Sequence, residues 1–401
     1  MIKEPLLRKS GIVFAFTIVA SFLDYLYQVY VGRYLGPEDY GVFASLFAIF
    51  YLISVISNTI ATSITNFISK FSAEERSIPD FFSGMLFRFI FIGVIFSGIF
   101  LILSPFISRF LKIKDLSPFL VLTAIVLFAW SMPVLNGTLR GLQKFKELGI
   151  VRVSNSLAKL IFGVVFLLLG FKVMGALLGV LLGFVFASLV SMIFLKKYLK
   201  FKPKLENFGE VCTYSLPVLI AMFSLSLPSN FDLLIVKNLL TEKEAGLYAS
   251  ACLFGKIVYF FPSSIYVVLF PMVAEKFAKG ESTTDILIKS LTYTAILTGG
   301  VVFIYFIYPD ILVKFFGKKY MEAIPLIAPY GLAMLFFSLS SIFLNYSLAI
   351  KDYKYVVFFS MVTLGYIILL YFNPSLMSMI RILLYGNMVL FIVSCVYRLR
   401  C

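Results

Sequence analysis

The chain has 401 residues, of which 61% are hydrophobic and only 14% are charged. A soluble domain is roughly 45–50% apolar and about 25% charged, so this composition, with a mean hydropathy of +1.00, excludes a soluble globular enzyme, a disordered chain and a secreted disulfide scaffold. The net charge of +15 is more typical of basic cytoplasmic loops than of nucleic-acid binding, and we expect no nucleic-acid partner.

Apolar stretches long enough to cross a bilayer follow one another along the whole chain. A spanning helix needs roughly 20 mostly apolar residues. The sequence therefore predicts an all-α polytopic membrane protein with about twelve transmembrane helices. The first six are Gly11–Val31, Gly41–Ile64, Phe82–Leu103, Pro118–Leu139, Ile150–Leu169 and Val173–Leu195. The second six are Val211–Leu234, Gly246–Val273, Ile286–Tyr308, Ala323–Ala349, Tyr355–Tyr371 and Leu376–Tyr397.

The distribution of Lys and Arg predicts the orientation of these helices. The loops on the side of the N-terminus carry about twice as many basic residues as the opposite loops. We therefore expect a multi-pass protein of the cytoplasmic membrane with both termini in the cytoplasm. No cleavable signal peptide is expected, because the first apolar run is long enough to span and more spans follow it.

Two residue types that often carry catalysis are scarce. Histidine is absent, which excludes histidine triads, H-E-x-x-H zinc sites and histidine proton shuttles. The four cysteines are widely separated and form no C-x-x-C pair, so we expect them to be small apolar residues in helices. No cofactor, metal site or catalytic residue is predicted, and we expect a protein that is not an enzyme.

The two halves of the chain resemble each other. GPEDYGVFAS at 36–45 matches TEKEAGLYAS at 241–250, and LNGTL at 135–139 matches LNYSL at 344–348. Both pairs fall at corresponding places in the span order. The matches predict two six-helix lobes, residues 1–200 and 201–401, related by a pseudo-twofold axis along the membrane normal with a central cleft. The basic stretch Lys196–Lys204 would then be the exposed linker between them.

Two segments carry a resemblance to a known family. Val31–Ser45 (VGRYLGPEDYGVFAS) resembles the start of the polysaccharide-transporter branch, the Wzx-type flippases, of the MATE-like superfamily of multidrug, oligosaccharidyl-lipid and polysaccharide exporters. Asp232–Ser250 (DLLIVKNLLTEKEAGLYAS) looks like the matching segment of the second half. Position 237 departs from the family, with Lys where Gly is more usual, and lies at a helix end in the outer loops. The resemblance implies movement of a lipid-linked oligosaccharide across the cytoplasmic membrane by alternating access, with a polyprenyl phosphate- or pyrophosphate-linked glycan and membrane lipids as partners.

Acidic residues are rare within the predicted spans, where ionisable groups usually face a cavity or a partner. Asp24 and Asp232 lie in the first helix of each predicted lobe, and Asn230 lies beside Asp232. One interpretation is that either acid is an ion-coupling site that binds H⁺ or Na⁺. The other is a structural pair between each acid and a buried Lys or Arg.

Basic residues within the spans predict an anion site. Lys159 and Lys256 lie near the middle of their helices, and Arg88 lies about six residues from the inner end of its own. A flippase substrate of the kind implied above carries a phosphate or pyrophosphate, for which these three cations are suitable ligands. Asn58, within the second span, is a candidate hydrogen-bonding residue for the glycan. Arg381 lies close enough to a helix end to reach the interface.

A stripe of glycines at Gly175, Gly179 and Gly183 repeats every four residues along the sixth span. Residues at this spacing share one face of a helix. Small-residue faces let transmembrane helices approach closely. The stripe therefore predicts close helix packing rather than a binding function.

The sequence is compatible with three functions to different degrees. The first is the lipid-linked oligosaccharide flippase. The second is a cation-coupled small-molecule or multidrug exporter of the MATE type, with which Asp24 is compatible but the basic intramembrane residues are not, because such exporters usually carry cations. The third is a membrane-embedded glycan polymerase or ligase, which normally needs a large outer loop with catalytic groups that this sequence does not provide.

Overall fold

The computed structural model describes residues 4–73, 77–200 and 208–400, and all the regular secondary structure in these residues is helical. Two short 3₁₀ helices, Lys196–Tyr198 and Lys318–Ala323, follow α6 and α11. The α-helices are α1 Glu4–Ala73, α2 Ile78–Leu111, α3 Ser117–Ala129, α4 Met132–Gly141, α5 Phe145–Leu168, α6 Lys172–Leu195, α7 Phe208–Leu239, α8 Glu242–Phe260, α9 Ser263–Ala278, α10 Thr284–Ile307, α11 Ile311–Phe316, α12 Ile324–Ala349, α13 Tyr353–Leu370 and α14 Leu376–Arg400.

Glycine and proline interrupt the longest helix. Within α1, Gly36 has φ 80° and ψ 174°, a conformation that residues with a Cβ rarely adopt, and Pro37 follows it without a backbone N–H to donate. The kink separates the first two predicted spans. Pro133 and Pro262 lie beside the breaks between α3 and α4 and between α8 and α9, each of which divides one predicted span.

Nine stretches of the described residues are long and apolar enough to cross a membrane. One of them, Ala15–Ser72, has 58 residues, far more than the roughly 20 that one crossing requires. The prediction of an all-α polytopic membrane protein is therefore confirmed. The number of twelve spans and their arrangement in two lobes about a cleft stay predictions.

Large apolar side chains cover the outside of several of these helices. On α2, Phe91 and Ile102 are 66% and 71% exposed, and on α10 Phe303 and Ile307 are 65% and 67% exposed. A soluble protein rarely exposes a continuous apolar face of this kind. Lipid is the solvent that makes such faces favourable, because in a helix the backbone groups are already hydrogen-bonded.

The chain forms two compact units. Unit 1 comprises Met1–Leu35 and Ile49–Phe223, and unit 2 comprises Gly36–Ala48 and Ser224–Cys401. Residues 36–48, which lie in the first half of the sequence, thus group with the second unit. The division of the chain into lobes 1–200 and 201–401 stays a prediction. Residues 201–204 of the predicted linker Lys196–Lys204 lie outside the described residues.

The two copies of the repeated motif pack against each other within unit 2. Gly41 and Gly246 occupy matching positions, 205 residues apart. A Cβ on Gly41 would lie 2.7 Å from the backbone nitrogen of Gly246, and a Cβ on Gly246 would lie 1.7 Å from the carbonyl oxygen of Pro37. Only glycine permits this approach of two helix backbones, which explains its presence in both copies.

A matching pair of hydrogen bonds gives further evidence for the internal repeat. In unit 1 the Ser57 hydroxyl donates to the Ala129 carbonyl at 3.2 Å, and in unit 2 the Tyr266 hydroxyl donates to the Ser338 carbonyl at 3.3 Å. Both bonds join residues 72 apart, and the two bonds are offset by 209 residues, the offset of the LNGTL and LNYSL segments. The same helix register therefore recurs in both units.

Candidate functional site

An ion pair lies at the centre of a polar cluster in unit 1. Lys159 Nζ on α5 lies 2.6 Å from Asp24 Oδ1 on α1. The same ammonium group lies 5.4 Å from the centre of the Tyr27 ring, within the range of a cation–π interaction. The structure therefore brings together two residues that the sequence analysis placed separately, one as an anion ligand and one as a coupling acid.

Glycines on α5 and α6 hold this pair in position. A Cβ on Gly179 would lie 2.9 Å from the carbonyl oxygen of Lys159, and a Cβ on Gly183 would lie 3.1 Å from the Cβ of Lys159. Gly163 similarly leaves room for the Tyr27 ring, whose hydroxyl donates to the Ala176 carbonyl on α6 at 2.5 Å. The predicted close packing of the glycine stripe is confirmed, and it fixes the backbone that carries Lys159.

Two arginines that were not selected as site residues from the sequence extend the cluster. Arg152 lies on α5, donates from Nη1 to the Thr17 hydroxyl at 3.1 Å, and interacts electrostatically with Asp24. Arg140, at the end of α4, is close enough to Arg152 for their charges to interact. Because Arg152 and Lys159 are seven residues apart, they share a helix face, and that spacing was the sequence feature that could have identified Arg152. We call Asp24, Arg140, Arg152 and Lys159 the unit 1 cluster.

A buried carboxylate forms the corresponding site of unit 2. Asp232 on α7 has no exposed surface. Its Oδ2 accepts hydrogen bonds from the Tyr248 hydroxyl on α8 at 2.9 Å and from the Tyr330 hydroxyl on α12 at 2.8 Å. The two rings meet edge to face with their centres 5.5 Å apart. A Cβ on Gly255 would lie 2.2 Å from Cδ1 of Tyr330, so glycine is needed where α8 passes that ring.

The remaining contacts of Asp232 leave its charge only partly matched. Cys252 Sγ lies 3.8 Å from Oδ2, and the Leu233 backbone N–H also interacts with the carboxylate. Oδ1 is buried and has no side-chain hydrogen-bond partner among the described residues. Lys256 donates to the Asn230 side-chain oxygen at 3.2 Å and interacts with Asp232 electrostatically rather than through an ion pair within 4 Å. We call Asp232, Tyr248, Cys252, Lys256 and Tyr330 the unit 2 cluster.

The spacing of residues along α8 could have identified part of this second cluster from the sequence. Tyr248, Cys252 and Lys256 are four residues apart and therefore lie on one face of α8. Only Lys256 and Asp232 were selected from the sequence. Tyr330 was not predictable in this way, because it comes from a distant helix and reaches Asp232 only in the folded chain.

The other predicted site residues lie elsewhere. Arg88 is half-buried on α2, Asn58 is exposed on α1 and Arg381 is exposed on α14. The roles of Arg88 as an anion ligand and of Asn58 as a glycan ligand stay predictions.

Lys237 is placed differently from the sequence interpretation, which assigned it to an outer loop. It lies in the last turn of α7, its side chain is 1% exposed, and its Nζ lies 3.3 Å from Glu242 Oε1. Glu242 opens α8, whose start is fixed by a capping box between Thr241 and Glu244. The buried ammonium thus ties the end of α7 to the start of α8.

The two clusters offer different chemistry. The unit 1 cluster places Lys159 and Arg152 near Asp24, with Arg140 close to Arg152. This excess of cations favours binding of an anion. The unit 2 cluster contains one carboxylate with no exposed surface. Burial of its charge favours binding of a proton or a small cation, and the two tyrosine hydroxyls hold the carboxylate in place. In the part of the chain that the structure describes, no three His, Cys, Asp or Glu side chains are grouped as metal ligands.

Comparison with known proteins identifies the family of this chain. Residues 29–325 match the family described as "Polysaccharide biosynthesis protein". The chain is 23% identical to the stage V sporulation protein B of Bacillus subtilis (strain 168) over 357 residues, which are 78% of this chain and 67% of that protein.

Solved structures show that the fold is also that of known transporters. An inward-facing multidrug resistance MATE family transporter of the MOP superfamily matches with a TM-score of 0.84 and 17% identity, over 96% of this chain and 97% of that one. The lipid II flippase MurJ in an inward closed conformation matches with a TM-score of 0.77 and 16% identity, over 97% of this chain and 88% of that one.

Proposed function

This chain belongs to the polysaccharide biosynthesis protein family, and from that premise we propose that it is a membrane flippase that moves a lipid-linked oligosaccharide or polysaccharide precursor across the cytoplasmic membrane. Its structural relatives include a multidrug transporter and a lipid II flippase, and it acts as a transporter rather than as an enzyme. The substrate would be a glycan joined to a polyprenyl phosphate or pyrophosphate.

The observation that carries the proposal is the surplus of positive charge in the unit 1 cluster. Lys159 is buried and paired with Asp24, and Arg152 lies within electrostatic reach of the same carboxylate. A single carboxylate leaves part of that charge unmatched. A phosphate or pyrophosphate group supplies the missing negative charge, and lysine and arginine donors are the usual protein ligands of phosphate.

The exposure of Asp24 indicates how the anion reaches the cluster. Its side chain is 46% exposed, although it lies within the spanning stretch Ala15–Ser72. A carboxylate at that depth is costly in lipid and is expected to face a water-filled path. We propose that the anionic group of the substrate approaches from that path and displaces Asp24 from Lys159, while the polyprenyl chain stays in lipid.

We assign ion coupling to Asp232. A carboxylate with no exposed surface and no ion-pair partner within 4 Å among the described residues is stabilised when a proton or Na⁺ joins it. Lys256 lies close enough to respond electrostatically to that change. Asp24, which the sequence analysis also considered as a coupling residue, serves in this proposal as the exchangeable partner of Lys159.

Location and orientation complete the proposal. The bias of basic residues towards one set of loops supports a protein of the cytoplasmic membrane with both termini in the cytoplasm. A substrate assembled in the cytoplasm would then enter from that side, and its glycan would be released outside.

The experiment that tests this function uses purified protein in liposomes with a fluorescently labelled, short-chain polyprenyl-pyrophosphate N-acetylglucosamine lipid. A membrane-impermeant quencher reports the labelled fraction in the outer leaflet. Protein should raise the transfer rate well above that of protein-free vesicles, and a labelled polyprenol without phosphate should not be transferred faster. Equal transfer of both lipids would contradict an anion-selective flippase.

A cation-coupled exporter of small molecules is the second candidate. The similarity to a multidrug resistance transporter and the buried carboxylate of Asp232 favour it. Ethidium uptake into the same liposomes distinguishes the two functions, because a multidrug exporter moves the cationic dye whereas the unit 1 cluster repels it.

A further inference from the structure

Several lysines surround one aromatic ring at the end of α6. The Nζ atoms of Lys144 and Lys197 lie 5.7 Å and 5.0 Å from the centre of the Tyr198 ring. Lys196 precedes Lys197 in the 3₁₀ helix Lys196–Tyr198 and is exposed. We call Lys144, Lys196, Lys197 and Tyr198 the Tyr198 lysine cluster. It is separate from the residues that the proposed transport function uses.

This cluster is held in a defined position on α2. The Ser83 hydroxyl donates to the Tyr198 carbonyl at 3.1 Å and accepts from the Lys200 backbone N–H at 2.8 Å. Lys144 also donates to the Phe194 carbonyl at the end of α6 at 3.4 Å. These hydrogen bonds fix the backbone of the 3₁₀ helix against α2 and the Lys144 side chain against the end of α6, so the two lysines meet the same ring in the folded chain.

In the part of the chain that the structure describes, no acid is paired with the lysines of this cluster. Asp80, at the start of α2, is paired with Lys200 at 2.9 Å. Among the described residues, no carboxylate oxygen lies within ion-pair distance of the ammonium groups of Lys144, Lys196 or Lys197. Like charges gathered at one ring repel each other unless an anion joins them.

The position of the cluster at the end of a lipid-facing helix indicates which kind of anion binds there. Leu189 and Ile193 on the last turns of α6 are 57% and 63% exposed, as lipid-facing side chains are. The 3₁₀ helix that carries Lys196 and Lys197 follows directly. A basic group at the end of a lipid-facing helix lies at the level of lipid headgroups.

We propose that the Tyr198 lysine cluster binds the phosphate of an anionic phospholipid headgroup, with the acyl chains of that lipid lying along the exposed face of α6. Lys144 and Lys197, which both lie near the Tyr198 ring, supply two positive charges to the phosphate. Lys196 adds a third. The bound lipid is a structural partner of unit 1 and is distinct from the transported substrate.

Native mass spectrometry of the full chain in detergent, with dioleoyl phosphatidylglycerol and dioleoyl phosphatidylcholine in equal amounts, tests the proposal. Each lysine near a membrane surface contributes about 1 kcal/mol of attraction to anionic lipid. The wild-type protein should therefore retain phosphatidylglycerol at least about fivefold over phosphatidylcholine. The triple variant Lys144→Gln/Lys196→Gln/Lys197→Gln should lose that preference.

A charge-matched control removes three exposed lysines elsewhere, as Lys114→Gln/Lys289→Gln/Lys318→Gln, and should keep the wild-type preference. If the triple variant is not monodisperse, Lys197→Gln is compared with Lys197→Arg, and only the first should reduce the preference. Retained preference in the triple variant or in Lys197→Gln, an equal loss in the control, or displacement of the lipid by excess inorganic phosphate would overturn the proposal.

Discussion

Lys159 and Asp24 form a close ion pair in which the two partners differ greatly in exposure. The lysine side chain is 9% exposed and the aspartate side chain is 46% exposed. A buried ammonium needs a partner, because desolvation of an unpaired charge costs several kcal/mol. A half-exposed carboxylate can instead be hydrated when it leaves. The pair is therefore suited to exchange of one anion for another at Lys159.

The approach of Gly41 to Gly246 gives a first prediction, about stability. Gly246→Ala places a Cβ 1.7 Å from the Pro37 carbonyl oxygen, and backbone atoms must move to make room. Overpacking of this kind typically costs about 1–3 kcal/mol. We expect a lower melting temperature for the purified variant in detergent, measured by intrinsic fluorescence.

Gly299→Ala on α10 is the matched control for that substitution. Nothing lies within 4 Å of a Cβ at position 299. Alanine is favoured over glycine in a helix by about 1 kcal/mol, so this variant should melt at or above the wild-type temperature. If both variants melt alike, the contact between the two motif copies is not tight.

The hydroxyl groups around Asp232 give a second prediction. Tyr330→Phe and Tyr248→Phe each remove one hydrogen bond to a carboxylate with no exposed surface. Loss of one donor to a buried charged group costs roughly 1–3 kcal/mol. Each variant should unfold at lower temperature, whereas Tyr385→Phe, at a side chain that is 60% exposed, should not. A wild-type melting temperature for Tyr330→Phe would contradict the assigned hydrogen bond.

Ion coupling at Asp232 leads to a third prediction. Asp232→Asn keeps the shape of the side chain but removes the charge that attracts a proton or Na⁺. Lipid transfer by wild-type protein in liposomes should change with an imposed H⁺ or Na⁺ gradient, and transfer by the variant should not. Gradient dependence that survives in Asp232→Asn would remove this residue from coupling.

Much of the fold followed from local properties of the sequence. The length of an apolar run decides whether a helix can span a bilayer. Each predicted span matches a whole helix, a part of one helix, or a pair of helices separated by a break. The breaks themselves occur beside Gly36, Pro133 and Pro262, whose backbone restrictions are also local. The stripe at Gly179 and Gly183 predicted close packing for the same reason.

The sites were only partly predictable, because their contacts join distant parts of the chain. The sequence identified Asp24 and Lys159 but left open whether an acid pairs with a base, and the structure supplies the 2.6 Å distance. Lys237 looked like a loop residue by position, yet packing buries it beside Glu242. Neither burial nor pairing follows from spacing along one helix.

The two copies of the repeated motif differ at the residues that contact Asp232. With an offset of 205 residues, Tyr248 and Cys252 of the second copy correspond to Phe43 and Phe47 of the first. Phenylalanine offers no hydroxyl or thiol donor, so the first copy of the motif carries no donors equivalent to those that Tyr248 and Cys252 present to Asp232.

The most direct test of the account is transfer of the labelled polyprenyl-pyrophosphate lipid by Asp24→Asn/Lys159→Gln, compared with Lys159→Gln and Asp24→Asn. The double variant removes the ion pair without leaving either charge unmatched, so a purely structural pair predicts that transfer recovers. Binding of the substrate anion by Lys159 predicts that the double variant stays at least about tenfold slower than wild type, a loss of about 1.4 kcal/mol, although it folds and melts normally. Transfer at the wild-type rate in a well-folded double variant would contradict the central claim.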